Sequence, residues 1–139
     1  MTMLIRSFGM FFGASIEAVS SIIMSETKLN EASVELFERT RPVYFGVKKF
    51  EDITLRGEAR SKALKSVEQG LGRVAGFYAL NGKGDYVMGE NLSYADVMVA
   101  ALLKWFSLNL PEWEEIKGWS DGRWAKSMAL LNEKYGQVV

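Results

Sequence analysis

The chain has 139 residues, 48% apolar and 24% charged, with 17 basic and 17 acidic side chains and a formal net charge of zero. That is one domain, 1–139, with enough material for a hydrophobic core, and it lacks the basic stripe that nucleic acid requires. It contains no cysteine and no histidine, which excludes disulfides, thiolate nucleophiles and any Ser-His-Asp or Cys-His machinery. No metal site is expected, since thiolate and imidazole ligands are both missing. Any catalysis would have to rest on carboxylates, tyrosines, lysines or serines. No apolar run reaches the length of a membrane span. Leu4 to Ala14 is mostly apolar, with one charged residue, Arg6. Without a charged leader or cleavage site, it reads as an amphipathic helix and not a signal peptide. A cytoplasmic location is the default expectation.

In chain order, apolar residues recur at helical spacing from Leu4 through Phe8, Phe12, Ile16, Val19 and Ile23,. A second set, Ile5, Phe11 and Ile22, widens the stripe, and Gly9, Gly13 and Ala14 would allow close helix approach. The end falls near Ser25 to Leu29. Asn30 then offers a fresh N-cap, with Leu29 and Val34 spaced as a staple around it. The next helix is expected to stop at Arg41, because Pro42 disfavours helical geometry in its neighbour. Val43 to Asp52 reads as a connection whose Tyr44, Phe45 and Phe50 dock on the bundle.

A longer helix begins around Thr54 to Glu58 and places Ala63, Leu64, Val67, Leu71, Val74 and Tyr78 on one face, with Arg60, Lys62, Lys65 and Glu68 on the wet side. Gly70, Gly72 and Gly76 each cost about 1 kcal/mol in a helix relative to alanine, and read as sites of close packing. Asn81-Gly82-Lys83-Gly84-Asp85 ends the helix, and Tyr86-Val87-Met88 is a short extended piece. Ser93 then sits at an N-cap with Asp96 three residues on: a capping box, in which the carboxylate reaches back to the Ser93 N–H. Leu92 and Val97 are spaced as its staple. Val97 to Leu103 is unbroken apolar sequence, so this helix is expected at the middle of the bundle. Pro111 suits a first helical turn, a short helix follows to Lys117, and Gly118 ends it. Ser120 reads as the cap of the last helix, with Trp119 and Trp124 as staple and Gly136 as its stop. With no βαβ alternation, the expected fold is all-α: five or six helices around a buried one.

Three segments resemble a known family. Gly89-Glu90-Asn91-Leu92-Ser93-Tyr94-Ala95-Asp96 is similar to the capping-box segment in the C-terminal, all-helical domain of glutathione transferases. Phe37-Glu38-Arg39-Thr40-Arg41 with Phe45-Gly46, and Trp119-Ser120-Asp121-Gly122-Arg123-Trp124-Ala125, resemble segments of the fungal branch related to bacterial β-etherases. The likeness runs from about Phe8 to Tyr135, in the family's order and spacing. It implies that Phe8, Phe11, Phe12 and Ser15 form one wall of a hydrophobic substrate site; the plainer reading makes them core, or the surface that meets another domain. It implies glutathione as the family's co-substrate, yet the thioredoxin-like domain that activates it, with its βαβ pattern and cis-proline segment, finds no counterpart here: the prolines are Pro42 and Pro111. No glutathione-activating residue transfers onto this chain, and no cofactor is expected to bind it alone.

Other candidates have bland readings that carry more weight. Ser93 and Asp96 as nucleophile and acid would need a histidine between them, so they are structural, the serine cap being worth on the order of 1 kcal/mol. Arg39 and Arg41 could hold an anion, but complementing a helix dipole is the better account. Gly82-Lys83-Gly84 lacks the pattern of a phosphate loop. Trp105, Trp113, Trp119 and Trp124 read as packing residues with a polar edge at the surface. Three functions follow. The chain is a non-catalytic module that binds small hydrophobic molecules or a protein partner (a second copy, or a thioredoxin-like domain). Alternatively it is part of a complete transferase acting on aromatic or ether substrates, or a structural bundle without a ligand.

Overall fold

A computed structural model describes residue 22, residues 29–80, residue 82 and residues 84–136. Among these the chain forms five helices: α1 (Glu31–Phe45), α2 (Gly57–Leu80), α3 (Tyr94–Asn109), α4 (Trp113–Ile116) and α5 (Trp119–Tyr135), with a 3₁₀ turn at Phe50–Ile53. The fold is all-α, as expected, and no described helix is long and apolar enough to cross a membrane. The core joins Val67, Leu71, Val74 and Tyr78 of α2 to Val99, Leu103 and Phe106 of α3. Ile116 of α4 and Trp124 of α5 complete it, with Ile22 and Val87 packed in from outside these helices. α5 is the common partner, packing on α2, α3 and α4.

α1 begins as expected: the Ser33 N–H donates to Asn30 Oδ1 at 3.0 Å. It does not stop at Arg41. Pro42 lies inside the helix and is buried, and the chain stays helical to Phe45 before Gly46, at φ 67°, ends it. Pro42 removes the N–H that would bond the Glu38 carbonyl, but less than one turn of helix follows it, so little regular structure is disturbed. Of the residues expected to dock, Phe50 meets the Phe37 ring edge-on at 5.8 Å, while Tyr44 is 77% exposed and touches Phe45 instead.

α2 runs unbroken through its three glycines and buries the predicted face. Gly70 is buried, in keeping with close packing. Among the described residues Gly72 and Gly76 are not packing sites: a Cβ on either would meet no atom within 4 Å. Arg60 also departs from expectation. It leaves the wet side to form a two-pronged ion pair with Glu112, Nε to Oε1 at 2.6 Å and Nη2 to Oε2 at 2.9 Å, clamping α2 to the turn before α4. The Arg60 guanidinium holds the Glu112 carboxyl below its ordinary value of 4.5, against the opposing effect of partial burial. A depressed carboxylate stabilises the fold above its unfolded pKa, and loses that contribution as pH falls through the lower folded value. Glu112→Gln is expected to cost about 1–2 kcal/mol at pH 7, and the gap from wild type should close below pH 4.5, which urea denaturation across pH would measure.

The connection from α2 to α3 folds back on itself. The Tyr86 N–H donates to the Gly89 carbonyl and the Gly89 N–H to the Tyr86 carbonyl, both at 3.0 Å. Gly84, at φ 100°, passes so close that a Cβ would lie 2.2 Å from the Gly89 backbone; no other residue fits. α5 opens differently from expectation. Its N-cap is Gly118 without a side-chain bond, and Ser120, Asp121 and Gly122 form a left-handed turn (φ 54°, 58° and 72°) before the regular helix resumes. Gly136 ends α5 as expected, its N–H donating to Asn132 O at 3.1 Å.

Candidate functional site

α3 carries the capping box and an exposed apolar stripe. Its inner residues Asp96, Val99, Leu103 and Phe106 are buried, at spacings of three and four that keep them on one side. The expectation of a buried helix holds for that side only. Tyr94, Val97 and Met98 are 68%, 48% and 42% exposed, and Leu108, further along, is 60% exposed. Ala101 is exposed as well. Positions 94, 97, 98, 101 and 108 form a second apolar stripe, and the preceding loop adds Met88 and Leu92, 51% and 37% exposed. α3 thus has two apolar faces, one of them open,.

The capping box at the start of α3 is present and reaches further than one helix end. Asp96 is 2% exposed. Its Oδ2 accepts from the Ser93 N–H at 2.8 Å and from the Ser93 hydroxyl at 2.6 Å, and its Oδ1 accepts from the Val87 N–H at 2.8 Å. The carboxylate thus joins the folded-back loop to the helix it caps. Tyr78 of α2 lies beside it, its phenol pushed well above the ordinary tyrosine range by burial first and by the Asp96 carboxylate second. Neither group is poised for thiol chemistry: the Ser93 proton is committed to a carboxylate, and Tyr78 is held protonated. The capping-box cluster therefore offers no group to activate glutathione.

Phe8, Phe11, Phe12 and Ser15 lie outside the described residues. Arg39 and Arg41 do not close α1, which continues past both. The Arg41 guanidinium instead lies 4.8 Å from the Phe37 ring centroid. Among the tryptophans, Trp124 departs from expectation, being fully buried with an indole N–H that has no partner among the described residues.

The sequence matches the description "Glutathione S-transferase, C-terminal domain" over residues 4–135. The chain belongs to this family. In three dimensions it is similar to the glutathione S-transferase CsGST63524 of Ceriporiopsis subvermispora, solved in complex with glutathione, at TM-score 0.85 and 33% identity over 98% of this chain and 57% of that one. A second protein of that organism, CsGST83044, also in complex with glutathione, gives TM-score 0.79 and 26% identity over 95% and 56%. Glutathione transferase GSTFuA3 from Phanerochaete chrysosporium gives 0.76 and 25% over 90% and 51%. Among curated proteins, none matches. The chain thus spans little more than half the length of these glutathione transferases.

Proposed function

We propose that the chain is the helical half of a glutathione transferase-type protein, inactive by itself, whose open α3 stripe seats a thioredoxin-like, glutathione-binding partner domain. The observation that carries the reading is the stripe at Tyr94, Val97, Met98 and Leu108, open on a helix whose other side is fully packed. The length of the relatives supports it, since more than 40% of the first lies beyond what this chain matches. In this reading the helical half supplies one wall of the hydrophobic substrate site, with Phe8, Phe11, Phe12 and Ser15 the residues expected there. The partner supplies the group that activates the thiol, and the assembly transfers glutathione to an aromatic electrophile or cleaves an aryl ether. Self-association through the same stripe is the competing use of this surface.

The test mixes the chain with an isolated thioredoxin-like half of a fungal glutathione transferase, and follows both association and conjugation of an aromatic electrophile. The chain alone is expected to give no turnover above the solution reaction, and the mixture to associate. Val97→Asp, at a half-exposed site, should leave the melting temperature within a few degrees and weaken association at least tenfold, because a desolvated, unpaired charge costs several kcal/mol. Turnover by the chain alone would overturn the reading. So would a complex that tolerates Val97→Asp. A concentration-dependent dimer by light scattering, lost in Val97→Asp, would assign the stripe to a second copy instead.

A further inference from the structure

Between the C-terminal half of α2 and the start of α5 lies an open cavity of about 490 Å³, within the range of small-molecule sites. It takes no part in the docking surface above. One wall is small and apolar, made of Ala75, Gly76 and Ala79; the facing side carries Asp121 and Arg123. Gly76 has open space where a side chain would begin, so this wall is flat and unobstructed.

Three observations single out Arg123. Its guanidinium carbon sits 4.1 Å from the centroid of Tyr78, which also lines the cavity. Its Nη2 donates to the Asp85 carbonyl at 3.3 Å, while the Asp85 carboxylate is engaged by Lys126 at 2.7 Å. Its Nε is buried and, among the described residues, has no hydrogen-bond partner. The cation is thus held in place at the cavity wall by an aromatic face and a carbonyl, and a guanidinium fork is shaped for an oxyanion. The left-handed turn borders the same space: Ser120 and Asp121, at φ 54° and 58°, both line the cavity. Non-glycine residues held there are strained, and such strain gathers at ligand sites.

We propose that this cavity binds a small aromatic carboxylate, its carboxylate on the Arg123 guanidinium and its ring against Ala75, Gly76 and Ala79. A single negative charge suits the site better than phosphate, because the Asp121 carboxylate borders the same space and repels a dianion. The flat apolar wall gives the ring its contact, which a bare anion would not use.

The experiment titrates the full chain with 2-naphthoate, with the neutral 2-naphthalenemethanol and with inorganic phosphate, reading the ¹⁵N and ¹H shifts of the Arg123 Nε–H. Naphthoate should shift that signal and bind at least tenfold tighter than either the alcohol or phosphate. Gly76→Leu should melt no lower than the wild type, since its Cβ meets no atom of the described residues within 4 Å and a helix-interior glycine is itself costly, and should weaken naphthoate binding at least tenfold by filling the wall. Equal affinity for acid and alcohol would overturn the proposal, as would phosphate binding as tightly as naphthoate. An affinity unchanged by Gly76→Leu would do the same by placing the ligand elsewhere.

Discussion

Asp96→Ala is expected to destabilise the chain by about 3–5 kcal/mol, a large share of the 5–15 kcal/mol typical of a domain. A serine cap alone is worth about 1 kcal/mol, and Ser93→Ala should cost no more than that. Asp96 differs because its carboxylate is almost fully buried and takes three donors, the Ser93 N–H, the Ser93 hydroxyl and the Val87 N–H. Bonds to a charged acceptor are worth about 1.5–3 kcal/mol each, and a buried donor left empty carries its own desolvation cost. Val87 is itself 1% exposed, so water cannot readily replace the lost oxygen at its N–H. Asp96→Asn retains one acceptor oxygen and should fall between the two. Urea denaturation of the three variants, with m-values compared to detect loosening of the loop, is the measurement. An Asp96→Ala cost no larger than that of Ser93→Ala would mean that the bond to Val87 contributes nothing, and that the aspartate is an ordinary cap.

The capping box was legible because it is local: a serine, an aspartate three residues later and an apolar run specify a helix start without reference to the rest of the chain. The buried face of α2 was legible for the same reason, since Ala63, Val67, Leu71, Val74 and Tyr78 repeat at helical spacing. What the sequence concealed depends on partners far away. Arg60 reads as a wet-side residue until Glu112, 52 positions later, arrives beside it. Pro42 reads as a stop until its ring is seen to be buried. The all-apolar run of α3 announced burial on every side, but composition cannot distinguish a face covered by this chain from one awaiting another. Arg123 and its cavity were out of reach. Gly122 is the one local hint of a left-handed turn, and neither the strain at Ser120 and Asp121 nor the stacking on Tyr78 has a sequence signature.

Trp124→Ala is expected to cost about 3–5 kcal/mol, the range for truncating a buried tryptophan, and its consequences should not stay in the core. Trp124 is fully buried where α2, α3 and α4 all meet α5, so its loss leaves a void that several helices cannot fill together. Its ring meets Tyr78 edge-on, with centroids 6.2 Å apart and planes at 78°, and the Arg123 guanidinium rests over that same tyrosine. The indole therefore fixes the ring that fixes the cation. Trp124→Phe keeps an aromatic edge for Tyr78 and also removes an indole N–H that has no partner among the described residues, so it should cost less than half as much as alanine. Thermal melts of both variants, paired with the Arg123 Nε–H shift in each, separate the two effects. Phenylalanine should preserve the shift, and alanine should lose it even at temperatures where the chain remains folded. If alanine left the Arg123 signal in place, the Tyr78 ring would be held by something other than Trp124, and the route from core to cavity would have to run through α2 alone.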